Sequence, residues 1–213
     1  MSYTELINDF LLQKKKQTQK PIVGATVHRS FDKLVDIWPQ AGFIHIIRDP
    51  RDVAQSRVKM GWDGNVWSGV EPWLEAEQCW EKLKNKIFSR QYFHIYYEEF
   101  IASPVEKLIE IAEFMGINYD SEMMNYYQDT TYDKVDSSFL QQWKRKLSSR
   151  EVQLIECKTG SILKQRNYEL SGLAKIELTR KDIRLIEISG FLKRSYRRFN
   201  ESPRLFILGY LIR

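Results

Sequence analysis

Apolar residues recur along this chain in two ways: at helical spacing in the longer stretches, and in short uncharged runs. From Thr4 onward, Leu6, Ile7, Phe10 and Leu11 share one face of a helix that closes on the lysine run Lys14–Lys16. Pro21–Ala25 reads as a short buried strand, and Phe31–Trp38 as a helix stopped by Pro39. Phe43–Ile47 (FIHII) carries no charge, as expected of a parallel strand covered on both faces. Asp49 then supplies a cap and Pro50 a first helical residue for a new helix. A loop over Gly61–Gly69 precedes a long helix, Glu71–Phe88, with Trp73, Leu74, Glu77 and Trp80 at helical spacing. Tyr92–Tyr97 predicts another strand, Pro104–Met115 a helix ended by Gly116, and Ser148–Gln165 a helix with a serine cap. Two basic helical segments, about 180–200 and 203–212, close the chain. No internal repeat or low-complexity stretch occurs.

Strands alternating with helices over short links predict an α/β fold: a three-layer arrangement in which helices flank a parallel sheet. Ligands of such sheets sit beyond the carboxyl ends of the strands, so the residues just after Ile47 are the first place to look. With 213 residues, 43% apolar and 29% charged, the chain is globular and the size of one domain with a real core. Its six Trp serve a large aromatic core as well as they would serve a ring-binding groove. The net charge of +5 changes the picture only at one end: Arg180–Arg213 holds nine Lys or Arg against three Asp or Glu, and the rest is close to neutral. Cys79 and Cys157 form no CxxC and join no Cys/His cluster, which argues against a zinc site or a disulfide framework and for a reducing, cytoplasmic location. The N-terminus lacks the apolar run of a signal peptide, and Leu205–Ile212 is far shorter than the ~20 residues of a membrane span.

The chemistry centres on Arg48-Asp-Pro-Arg-Asp-Val-Ala-Gln-Ser56. Arg48 stands at the end of a strand beside a helix N-terminus, where free N–H groups and the helix dipole favour an anion. Its planar fork can grip a phosphate through two hydrogen bonds. Ser56 offers a hydroxyl two turns into the helix, on the same face as Asp52. The same residues could also form no more than an Arg–Asp surface pair at a helix start.

FIHIIRDPRDVAQS resembles the strand-loop-helix that binds the 3′-phosphate in sulfotransferases using 3′-phosphoadenylyl sulfate (PAPS). The resemblance continues in order through Tyr96-Tyr97-Glu98-Glu99-Phe100, through Pro104–Asn118, and through Trp143–Tyr168, where Asn167 replaces a Gly; it covers about residues 20–172. It implies a P-loop NTPase-like sulfotransferase fold. It also implies that Arg48 and Ser56 hold the 3′-phosphate, that Tyr97 contacts the adenine, and that His28 is the general base, aligned with the His of a K-T-H segment about twenty residues before Arg48. The Lys of that segment would fall near Thr26 and is absent. The donor would be PAPS, with no metal, and the acceptor a hydroxyl or amine on a small molecule or glycan. Glu98 and Glu99, adjacent on a strand, would face opposite ways and not converge as an acid/base pair. Trp62 and Trp67 could cover an acceptor, whereas Trp73 and Trp80 read as core.

The family's Gly-rich loop for the 5′-phosphosulfate is not found: residues 1–60 contain only Gly24 and Gly42, with no GK, RSG or GxxxxGK. The resemblance therefore implies a chain that starts beyond that loop and its strand. Residues 1–172 would be a partial sulfotransferase domain and 173–213 a basic helical extension. Three readings remain open: a sulfotransferase, a non-catalytic remnant that binds 3′-phosphoadenosine 5′-phosphate (PAP), and a basic interaction protein. The third rests on FLKRSYRRF, which mixes Arg and Lys with aromatics as segments that contact nucleic acid or anionic membranes do. A solvated basic helix end accounts for the same residues. Specific nucleic-acid binding is not expected.

Overall fold

The computed structural model describes residues 2–128 and 136–201. Two strands, β1 (Phe43–Ile47) and β2 (Tyr92–Tyr96), pair in parallel, and helices make up most of the rest. Parallel neighbours need a crossover, and here the intervening segment is helical, as in an α/β unit. The expected α/β class is thus observed. The chain divides into two compact units.

Unit 1 comprises Met1–Phe43 and Ala76–Tyr92. Helix α1 (Tyr3–Thr18) starts on Ser2, whose hydroxyl accepts from the Glu5 N–H while the Glu5 carboxylate accepts from the Ser2 N–H. This capping box satisfies two otherwise orphaned donors. The Trp38 indole donates to Asn8 Oδ1 at 2.6 Å and so ties α1 to the segment after α2 (Leu34–Ile37). Pro21–Ala25 is not a strand: it is irregular and mostly exposed, since among the described residues its short apolar run has no partner strand to complete its hydrogen bonds.

Unit 2 comprises Ile44–Glu75 and Phe93–Arg213. It contains helices α3 (Pro50–Lys59), α4 (Val66–Gly69) and the start of α5 (Glu71–Lys84). Beyond β2 follow α6 (Tyr97–Ala102), α7 (Pro104–Met115), α8 (Trp143–Lys146), α9 (Ser149–Thr159), α10 (Ser161–Gln165) and α11 (Arg180–Glu201). Its core joins Ala54 of α3, Val66 and Trp67 of α4, Val70, and Leu154 and Ile155 of α9, with Ile183 and Ile186 of α11 packed against them. A second cluster, Ile47, Trp73 and Leu74, lies against Val53, Tyr96 and Tyr168.

Several elements depart from the expected outline. The loop over Gly61–Gly69 contains α4, capped by Asn65, whose side chain accepts from the Ser68 N–H. The helix expected over Ser148–Gln165 breaks in two at Gly160, whose φ of 56° and ψ of −126° suit glycine alone. The strand β1 is not covered on both faces, for Ile46 is 61% exposed and Ile44 is exposed beside it. The second basic segment, 203–212, lies outside the described residues.

Candidate functional site

Ile47, the last residue of β1, is buried, and the chain then turns into α3. Asp49 makes the turn: its carboxylate accepts from the Arg51 N–H at 2.9 Å, and Pro50 needs no partner at the first helical position. Glu98 holds the turn from the other side. Its Oε1 accepts from the Asp49 N–H at 3.0 Å and its Oε2 from the Tyr168 hydroxyl at 2.9 Å. Burial and the Glu98 carboxylate push the Tyr168 phenol far upward, so it stays a neutral donor. The Trp73 indole donates to the Arg48 carbonyl at 3.0 Å. The peptide group that follows Arg48 is therefore held at both its carbonyl and its N–H by tertiary hydrogen bonds.

The Arg48 side chain lies 24% exposed at this fixed point. Its guanidinium sits 4.4 Å from the centroid of the Tyr97 ring, donates to the Phe139 carbonyl at 2.8 Å, and lies 3.9 Å from Asp52 Oδ2. Its Nε–H is buried and, among the described residues, makes no hydrogen bond. A buried donor without a partner costs roughly 1–3 kcal/mol, a cost that an acceptor brought to this guanidinium would offset. Asp52, four residues on, is 1% exposed. Its Oδ1 accepts from the Trp143 N–H at 2.7 Å, and its Oδ2 has no hydrogen bond. Burial raises the Asp52 carboxyl above its ordinary range, while the Trp143 N–H and Arg48 pull the other way. One turn further, Ser56 is half-buried. Among the described residues its hydroxyl makes no hydrogen bond, unlike Thr159, which bonds back to the Ile155 carbonyl at 2.9 Å. An Arg donor without a partner, a free serine hydroxyl and a neighbouring aromatic face suit a phosphate carried on a ring system.

Arg48 and Tyr97 are thus brought into contact, and Ser56 lies on the helix that Arg48 precedes. His28 belongs to unit 1, on an exposed irregular segment and not after a strand. Strand β2 ends at Tyr96, so Tyr97, Glu98 and Glu99 open α6 and do not continue a strand. Glu98 is structural, while exposed Glu99 lies 3.6 Å from Lys107. The Trp62–Trp67 pair separates: Trp67 is buried in the core, and only Trp62 is exposed. Trp73 and Trp80 are buried as expected. Three partners of the site escaped the sequence pattern: the Phe139 carbonyl, the Trp73 indole and the Trp143 N–H. Each reaches Arg48 or Asp52 from far along the chain and leaves no local signal. Among the described residues no group of three or more His, Cys, Asp or Glu is placed to hold a metal.

A sequence model of the sulfotransferase family matches residues 5–121. A Caenorhabditis elegans protein, named as a candidate protein-tyrosine sulfotransferase, is 29% identical over 105 residues, which are 47% of this chain and 40% of that protein. The chain thus matches well under half the length of this curated relative. Among solved structures, the sulfotransferase domain from the curacin biosynthetic pathway superposes with a TM-score of 0.61 at 15% identity, over 76% of this chain and 68% of that one. The sulfotransferase domain from the Synechococcus PCC 7002 olefin synthase gives 0.59 at 19% identity, over 78% and 64%. At such identities the likeness is one of fold.

Proposed function

The chain belongs to the sulfotransferase family, and from that premise we propose that it binds PAPS through its 3′-phosphate and transfers the sulfuryl group to a hydroxyl or amine acceptor. The Arg48 guanidinium carries this reading: a cation at the end of β1, stacked on Tyr97, with a buried Nε–H that lacks a partner. Arg48, Ser56, Tyr97 and His28 all fall within the segment that matches the family. In this reading Arg48 and Ser56 close on the 3′-phosphate and Tyr97 lies against the adenine. When bound, PAPS supplies the activated sulfuryl group, and PAP is left behind. His28 takes the acceptor proton, a task suited to neutral imidazole near pH 7. No metal takes part. The acceptor is a small molecule or glycan, and the naming of the nematode relative for protein tyrosine extends the class to phenolic hydroxyls.

A second reading, nucleotide binding without transfer, is favoured by one observation. His28, the candidate base, lies on an exposed irregular segment, and removing a single preorganised group from an enzyme site costs roughly 10²–10³ in rate.

Calorimetry with PAP tests the shared claim. The expected result is binding that Arg48→Ala weakens about tenfold or more, as for loss of a charged hydrogen bond. No binding by the wild type, or an unchanged affinity in the variant, would sink it. Transfer of labelled sulfate from PAPS to a simple phenol then separates the two readings. Transfer that falls in His28→Ala at unchanged PAP affinity supports the first; binding without transfer supports the second.

A further inference from the structure

The long basic helix α11 has two sides, and unit 2 uses only one of them. The inner side is fixed by close approach. Gly190 is buried, and a Cβ added at Gly64 would lie 1.8 Å from the Gly190 carbonyl oxygen. Asn65 Nδ2 donates to the Ile186 carbonyl at 2.7 Å, and Arg197 donates to the Val58 and Lys59 carbonyls at 3.2 Å each. Ile183 and Ile186 pack on the core from the same side. These contacts settle which way the rest of the helix points.

The opposite side carries Leu185, Ile188, Leu192 and Tyr196, at helical spacings of three, four and four residues. All four are exposed, Leu185 at 65% and Tyr196 at 70%. Exposed Lys181, Arg184, Lys193 and Arg198 stand around this stripe, and the helix as a whole has seven Lys or Arg against three Asp or Glu. In the sequence that follows, Leu205–Ile212 is an uncharged apolar run between Arg204 and Arg213.

We propose that the outward face of α11 lies on an anionic lipid surface. An apolar stripe flanked by Lys and Arg is the pattern of a helix that rests in the plane of the interface. Its Leu and Ile enter the acyl boundary, and its cations meet acidic headgroups. The charge pattern selects this occupant over others. Nucleic acid would be held by the cations and Tyr196, but would give Leu185, Ile188 and Leu192 no apolar partner. A second copy docked on the same stripe would bring two sets of Lys181, Arg184, Lys193 and Arg198 together. Among the described residues no helix is long and apolar enough to cross a membrane, so the contact is with the surface.

Vesicle flotation of the full chain tests this, using phosphatidylcholine alone and phosphatidylcholine with about 30% phosphatidylserine at about 150 mM salt. The wild type is expected to float with the acidic vesicles and not with the neutral ones. Leu185→Gln/Leu192→Gln and Arg184→Gln/Arg198→Gln should each weaken the partition about tenfold or more. All four positions are exposed, so the melting temperature of both variants should stay at the wild-type value, which distinguishes lost binding from lost folding. Floating of the Leu185→Gln/Leu192→Gln variant as well as the wild type would overturn the proposal. So would absence of wild-type binding to the acidic vesicles; binding of a uridine oligonucleotide that the leucine changes leave intact, or a sedimenting dimer that they dissolve, would then assign the face to nucleic acid or to a second copy.

Discussion

Arg51 donates twice to Asp49, from Nε at 2.9 Å and Nη2 at 2.7 Å, and once to Glu156 at 2.8 Å, with its guanidinium 3.8 Å from the Trp143 ring centroid. Arg48, three residues earlier, donates to one carbonyl and keeps a buried Nε–H without a partner. Burial alone would lower the Arg51 pKa, but the bonds to Asp49 and Glu156 raise it on balance, so Arg51 stays charged. The same residue type thus serves two purposes within one turn, and neighbouring partners decide which. Arg51→Met would remove the cation that buried Asp49 and half-buried Glu156 share, leaving Asp49 its bond from the residue-51 N–H and Glu156 its bonds from Ser171; breaking a buried pair costs about 3–5 kcal/mol, so urea unfolding should show a loss toward the lower end of that range, whereas Arg48→Ala should leave the midpoint near the wild type. Asp52 gives a prediction in pH. Its folded-state pKa is raised, mainly by burial. As pH climbs above the ordinary aspartate value of about 3.9, the unfolded chain releases a proton that the folded chain still holds, and the stability from this group is lost. Asp52→Asn keeps an acceptor for the Trp143 N–H and removes that loss. The difference in unfolding free energy between wild type and Asp52→Asn should therefore shift toward the variant as pH rises from about 3.5 to 6.5; a constant difference would refute the assignment.

Helix ends were legible because their signals are local. Asp49 with Pro50, Ser148 with Glu151, and Gly116 with its φ of 70° each mark a boundary the structure keeps. Asn167, standing where the family has Gly, adopts a φ of 57°, a left-handed conformation that Asn tolerates better than most residues. Strand status was less legible, since it depends on a partner: FIHII pairs with β2, while the similar run at Pro21–Ala25 finds no partner strand among the described residues. The break between α9 and α10 was missed because apolar spacing runs on through Gly160 and hides its backbone. A Cβ at Gly160 would meet no atom within 4 Å, so Gly160→Ala tests backbone strain alone. It should cost about 1–3 kcal/mol in chemical denaturation, and a neutral result would mean that the two helices can run straight through.

At the scale of the molecule, the anion grip was readable as a pattern of Arg, Asp and Ser, but its support was not. Phe139, Trp143 and Tyr168 come from the far side of the sequence to complete unit 2 around Arg48 and Asp49. Order of motifs could announce the family; only the folded chain shows that Glu98 is a clamp and Trp67 a core residue. The outward face of β1 has a practical consequence. Ile44 and Ile46 place uncharged β-branched side chains in water on a strand of a two-stranded sheet, the kind of surface on which chains stick to one another. How much protein survives purification, and at what concentration it stays monodisperse, then depends on the same strand that leads to the phosphate grip. A lysine introduced at Ile44, the position farther from Arg48, would act on yield and shelf life.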